Sequence, residues 1–311
     1  PIWGEILGRI QVGKPTDEDI RMMNERHLSK VQLPPNVDCD ETRLAYGCYS
    51  NKMRNQITNA CFLKHVYNKC PKYDSAEAPL DNTLIIKGWI TMKNKDVGTE
   101  FHKVIWVTCG DDNLVVDKST RVDPCLRLIV GCPLMITTKK DKKRKLVKGM
   151  TGTYIGVGWK VGHTPHVEDY HGFKVNCAYV GDLDYILLKL HLDGKIVQVY
   201  PEPSTPTIRL PNFQADNVLK GYQIVQFPVN HSLAITGHKL QGMTLELLVL
   251  TEINLTMNWL YVLLSRVTTM KGLYLMKPLT KNMFKPISTN LKRELDWLHQ
   301  LETKLLERIQ V

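Results

Sequence analysis

Between residues 84 and about 210 the chain changes texture, and that change limits what it can fold into. Apolar and β-branched residues there come in short runs: 84–92, 103–108, 126–137, 151–159, 185–190 and 195–200. Gly, Pro or charged clusters separate the runs, which is the spacing of a small β-barrel or sheet module. On both sides strands alternate with helices instead. Upstream, Thr16 and Asp19 have the spacing of a capping box, followed by Ile20, Met23 and Leu28 on a helix within 14–30. Residues 42–48 then read as a strand and 51–66 as a helix, with 68–82 a polar loop. Downstream, 222–227, 245–251 and 272–276 read as strands with helices between them. The expectation is an α/β fold in which one α/β domain is interrupted by a β-rich insertion.

The corresponding boundaries are 1–83 and 216–285 for the α/β domain, 84–215 for the inserted module and 286–311 for a C-terminal helix. In that last segment Leu291, Leu295, Leu298, Leu305 and Ile309 form a helical stripe. It suits docking onto the domain, or alternatively an interaction with a partner.

Composition narrows the function classes. With 41 Lys+Arg against 31 Asp+Glu the formal charge is +10, which suits a polyanionic partner. No run of roughly 18 apolar residues marks a membrane span. The start, Pro1-Ile2-Trp3-Gly4-Glu5, lacks Met and lacks a basic-then-apolar signal region, so it reads as a point inside a longer protein. Eight cysteines are scattered without a CxxC pair, and they read as reduced thiols of an intracellular protein, nuclear if the source is eukaryotic. His163, His166 and His171 lie in a Gly/Pro-rich stretch where no cysteine or carboxylate pattern completes a metal site, so no metal is assigned.

Two segments near the C-terminus carry the chemistry. In Thr236-Gly237-His238-Lys239-Leu240-Gln241-Gly242, four polar side chains follow the apolar Leu233-Ala234-Ile235. Polar groups crowded beside a core segment need partners, and phosphate or ribose oxygens are suitable ones. In Tyr261-Val262-Leu263-Leu264-Ser265-Arg266, an arginine follows an apolar helical stretch. Arginine stays charged and binds phosphate through two donors, which suits a group that completes a nucleotide site from a second domain. Upstream, the run Lys139, Lys140, Asp141, Lys142, Lys143, Arg144, Lys145 places six basic residues in seven, as at a hairpin tip reaching for nucleic-acid phosphates.

Residues 234–244 resemble motif five of the Pif/RecD branch of superfamily 1 DNA helicases, and Tyr261–Val267 followed by Gly272-Leu273-Tyr274-Leu275 resembles its motif six. Leu263 stands where the family usually has Ala. Cys48-Tyr49-Ser50-Asn51-Lys52-Met53-Arg54, with Ile57 and Asn59 beyond, is similar to motif four, especially in Helitron transposons and large DNA viruses. Gly131-Cys132-Pro133-Leu134-Met135 and Val147-Lys148-Gly149-Met150-Thr151-Gly152 resemble the family's inserted β module, with Lys148 where Asn is usual.

The resemblance implies a RecA-like second motor domain of a P-loop helicase. Arg266 would be the arginine that meets the γ-phosphate, and Arg54 a second phosphate contact. Gln241 and Gly242 would line the nucleotide cleft, Thr236 and His238 would touch the single-strand backbone, and Lys239 would serve either. ATP and Mg2+ would be the cofactors, single-stranded DNA the partner, and translocation typically 5′ to 3′. The phosphate-cradling loop is missing, because Gly13-Lys14 and Gly194-Lys195 are followed by Pro15 and Ile196. The Mg2+-holding carboxylate strand is missing too, so an N-terminal motor domain is implied as a second partner. A non-catalytic single-strand-binding module that reuses the motor fold, and an RNA helicase relative, stay open as alternatives.

Overall fold

The computed structural model describes residues 2–34, 44–92, 95–96, 115–116, 123–137, 140–141, 146–205, 208–209, 218–219, 222–253, 258–285 and 288–309. They fall into two compact units, one drawn from 1–35, 42–49 and 235–311, the other from 50–234.

The first unit is built on a four-stranded sheet in the order Ala234–Thr236, Leu44–Cys48, Leu247–Leu250, Leu273–Leu275. The last three pair in parallel. A parallel pair needs a crossover, and between Leu247–Leu250 and Leu273–Leu275 it carries the helix Trp259–Leu264, so this unit has the α/β architecture that the sequence implies. Burial follows from the apolar runs: Leu44, Ala45, Leu248, Val249, Leu250, Leu273 and Leu275 are all removed from solvent. Thr251 is buried just beyond its strand, and its hydroxyl donates to the Gly47 carbonyl at 3.0 Å.

Two N-terminal helices, Ile2–Gln11 and Asp17–Asn24, belong to this unit. Thr16 caps the second one as expected. Its Oγ1 accepts from the Asp19 amide at 3.1 Å, while Asp19 Oδ2 accepts from the Thr16 amide at 2.8 Å. Asp19 also accepts two bonds from Arg9, at 2.7 and 2.8 Å, which tie the helices together. That pairing holds the Asp19 carboxyl down at about 2. Asn24 completes the docking through two bonds with the main chain of Leu279, at 2.8 and 2.9 Å.

The C-terminal helix spans Thr289–Ile309. Trp297, Leu298 and Leu301 are exposed on it. Of the expected stripe, Leu298 faces solvent and Leu291 is half-buried, while the side chains of Leu295, Leu305 and Ile309 lie outside the described residues.

The second unit is the β-rich module, joined by the helix Asn51–Lys69. A five-stranded sheet runs in the order Ile196–Val199, Leu183–Leu190, Thr151–Trp159, Pro133–Ile136, Val229–His231. A four-stranded sheet runs His166–Tyr170, Phe173–Tyr179, Thr83–Lys87, Cys125–Ile129. Ile86, Leu126, Leu134, Leu183, Ile186 and Phe227 form one dry core. The two module segments singled out in the sequence pair with each other, since Met135 faces Thr151 and Leu134 faces Gly152.

Three boundaries differ from the sequence reading. The run 84–92 breaks at Gly88 into Thr83–Lys87 and Trp89–Met92, which join different sheets. Tyr222–Gln226 pairs antiparallel with Trp89–Met92 and so lies in the β module. The helix Asn51–Lys69 packs Phe62 and Val66 against Ile85, Phe173 and Val175 of the module, although sequence groups it with 1–83. The run 103–108 lies outside the described residues. Among the described residues no helix is long and apolar enough to cross a membrane, and Cys48, Cys61, Cys70, Cys125, Cys132 and Cys177 form no disulfide with one another.

Candidate functional site

The strand Ala234–Thr236 ends at a sharp turn into the short helix Gly237–Leu240. Gly237 lets the Trp259 ring pack against this turn, because a Cβ there would stand 2.7 Å from Trp259 Nε1. Leu240 points inward and is fully buried. With that side anchored, the polar residues are pushed outward: His238, Gln241 and Gly242 are exposed, and Thr236 and Lys239 half-buried. Gly242 takes a left-handed φ of 80°, which reverses the chain.

The helix Trp259–Leu264 buries Trp259, Leu260, Leu263 and Leu264 against this turn and the sheet. Tyr49 closes over Trp259 edge-on at 5.9 Å. Arg266 follows one residue past the C-cap Ser265 and folds back over the helix end. Its Nε donates to the Val262 carbonyl at 2.9 Å and its Nη2 to Ser265 Oγ at 2.8 Å. Its Nη1 donates to the Met243 carbonyl at 3.4 Å, just beyond Gly242. The main chain reinforces this junction, with the Leu245 amide donating to the Arg266 carbonyl at 2.8 Å. The two segments singled out by sequence are therefore one structural element, joined through Arg266. All three side-chain acceptors are neutral, so a phosphate would offer the guanidinium a stronger, charge-assisted partner.

Arg54 lies in the other unit, in the first turn of Asn51–Lys69, where Ser50 caps the helix by accepting from the Met53 amide at 3.1 Å. The Arg54 Nε and Nη2 donate to Asn55 Oδ1 at 3.1 and 2.8 Å. In the basic run, Lys140-Asp141 pairs antiparallel with Leu146-Val147. Lys139, Lys142, Lys143, Arg144 and Lys145, and the side chain of Lys140, lie outside the described residues.

Sequence reading missed two polar groupings in the β module. Arg127 is buried, and it donates to Tyr170 Oη and Asn59 Oδ1 at 3.1 Å each and to the Cys125 carbonyl at 3.3 Å. Asn59, which sequence marks only through its motif, thus ties the helix Asn51–Lys69 to the sheet. Burial pushes the nearby Asp123 carboxyl up, against the pull of Arg127, and takes His231 down to about 4. The second grouping is His166, Glu168 and Cys177, whose ligand atoms lie within 4.8 Å of one another. His171 and Gly172, with φ of 53° and 82°, form the hairpin turn that brings them together. That His-Gly pair was the available signal, since both residues tolerate the left-handed region.

No protein-family model matches the sequence, and no curated protein matches it. Solved structures do match. One is the Pif1 helicase from Bacteroides in complex with ADP-AlF3 and ssDNA, at 18% identity and TM-score 0.58, covering 96% of this chain and 54% of that one. The Pif1 helicase from Candida albicans matches at 17% identity and TM-score 0.58, covering 96% and 58%. A structure of two coordinating Pif1 helicases at forked dsDNA matches at 18% identity and TM-score 0.57, covering 96% and 52%. The chain thus spans about half the length of the helicase chains it matches, and its mixed α/β architecture is the RecA-like fold seen in them.

Proposed function

We propose that the chain is the second motor domain, with its inserted β module, of a Pif1-like DNA helicase. The observation that carries this reading is the junction at which Arg266 ties Tyr261–Arg266 to the Gly237–Gly242 turn. That junction presents a permanent cation, held among the described residues by neutral acceptors, beside a row of outward-facing polar side chains.

The residues fit one side of a nucleotide. They offer a guanidinium for the γ-phosphate and the exposed Gln241 and Gly242 as a lining. They do not fit a phosphate cradle, because no Gly-x4-Gly-Lys-Ser/Thr loop is in the sequence. A first motor domain would hold ATP and Mg2+, whose hydrolysis supplies the free energy for movement. In this scheme domain closure lets Arg266 leave the Met243 carbonyl and spread its donors over charge that develops in the transition state. Lys239 serves the nucleotide or the strand. Thr236 and His238 contact the single-strand backbone, the basic hairpin adds phosphate contacts, and Arg54 supplies a second phosphate contact. The direction expected of this family type is 5′ to 3′.

The test combines this chain with a first motor domain that carries the missing loop. The expected result is ATP hydrolysis that rises when single-stranded DNA is added, with little or none from this chain alone. DNA binding without any stimulated hydrolysis in the combined protein would instead indicate a non-catalytic binding module. Tighter binding to single-stranded RNA than to DNA would indicate an RNA enzyme.

A further inference from the structure

We propose that His166, Glu168 and Cys177 form a binding site for one transition-metal ion of the zinc type. The site lies in the β module and does not depend on the nucleotide reading above.

Strand geometry assembles the donors. His166 and Glu168 are two residues apart on the strand His166–Tyr170, so both side chains leave the same face of the sheet. Cys177 sits directly opposite His166 on the neighbouring antiparallel strand. The three ligand atoms lie within 4.8 Å of one another, and His166 Nε2 is 2.9 Å from Glu168 Oε1. Imidazole nitrogen, carboxylate oxygen and thiolate sulfur are the donors zinc takes, and three protein ligands leave a fourth position for water. The His166 ring is held in place by stacking on Tyr179, 5.2 Å between centroids and 23° from parallel. Cys177 is fully buried in the sheet, so the framework that would fix the sulfur is already rigid.

The site already holds a positive charge. Lys87, on the strand that runs parallel beside Cys177, places its ammonium 2.5 and 2.6 Å from the two Glu168 oxygens. A metal ion would take one of those oxygens from Lys87. Burial keeps the Cys177 thiol protonated. Binding therefore breaks the S–H bond, forms a sulfur–metal bond and releases the proton to solvent. Lys87 thus acts as a competitor to the metal, and removing its charge should tighten binding.

The experiment treats the full chain with a chelator, removes the chelator, and titrates with Co2+ and then Zn2+. The expected result is one equivalent bound, with a thiolate-to-cobalt charge-transfer band in the near ultraviolet that Zn2+ abolishes. Cys177→Ser should lose the band, while Cys61→Ser should keep it. His166 is half-exposed, so His166→Gln is expected to fold, and it should weaken binding by at least about tenfold. Lys87→Gln should strengthen it severalfold. A chain that shows no such band, or a band that survives Cys177→Ser, overturns the proposal, as does unchanged affinity in folded His166→Gln.

Discussion

Arg266 reaches back across 23 positions of sequence to donate to the main-chain carbonyl of Met243, at 3.4 Å. This bond, longer than its two companions, joins the end of an apolar helix to the end of a polar turn. In the proposed scheme the guanidinium would exchange it for a phosphate while keeping the short bonds to Val262 and Ser265.

The packing around this junction is close at two glycines. At Gly272 a Cβ would stand 2.0 Å from the Glu246 carbonyl oxygen, where the main chain cannot yield cheaply. At Gly237 it would meet Trp259 Nε1 at 2.7 Å, a side chain with some freedom. Gly237→Ala is expected to cost about 1–3 kcal/mol, and Gly272→Ala more. Denaturant unfolding checks the order, and equal stability of Gly272→Ala and the native chain would refute it.

The Arg9–Asp19 pair gives the fold an acid limb. Partnered by Arg9, Asp19 titrates at about 2, below its ordinary 3.8. Its stabilisation is therefore complete above the ordinary value and is lost as pH falls through the folded value. Because Arg9 is partly exposed, roughly 1–2 kcal/mol is at stake after allowing for solvent screening. Stability measured between pH 5 and about 2 should fall less steeply in Asp19→Asn than in the native chain. An identical slope would show that the pair contributes nothing there.

Much of this is legible in the sequence because local signals and packing agree. Thr16 and Asp19 announce their capping box, and the apolar strands of the parallel sheet are visible as runs. The polar residues of 236–242 stand out because they follow a buried strand, and the structure does turn them outward. What sequence cannot supply is tertiary pairing. Nothing local tells that Tyr222–Gln226 joins Trp89–Met92, more than a hundred residues upstream, rather than the parallel sheet. Arg127 is invisible because its acceptors, Asn59, Tyr170 and the Cys125 carbonyl, come together only in the fold. The histidines at 163, 166 and 171 look incomplete as ligands because Cys177 is brought opposite His166 only by the 171–172 turn.

The basic hairpin predicts a salt effect. If residues 139–145 neutralise phosphates, replacing Lys139, Lys140, Lys142, Lys143, Arg144 and Lys145 with Gln weakens single-stranded DNA binding. It also makes the log–log salt dependence shallower by about 0.7 for each phosphate no longer neutralised. Titrations at two or more salt concentrations measure this. An unchanged slope in the substituted chain would place the DNA elsewhere.

The exposed face of the turn predicts a separable effect. His238→Ala removes an outward side chain without touching the core, so stability should change by less than about 0.5 kcal/mol. Affinity for single-stranded DNA should drop severalfold. Full affinity in a stable His238→Ala chain would remove that residue from the interface.

The most direct test of the account is DNA-stimulated ATP hydrolysis by the chain combined with a first motor domain, comparing native, Arg266→Lys and Arg266→Ala. The account predicts that Arg266→Ala lowers turnover by about a thousandfold or more while DNA binding persists. Arg266→Lys should recover only part of that loss, because lysine lacks the two-pronged geometry. Full turnover in Arg266→Ala would contradict it.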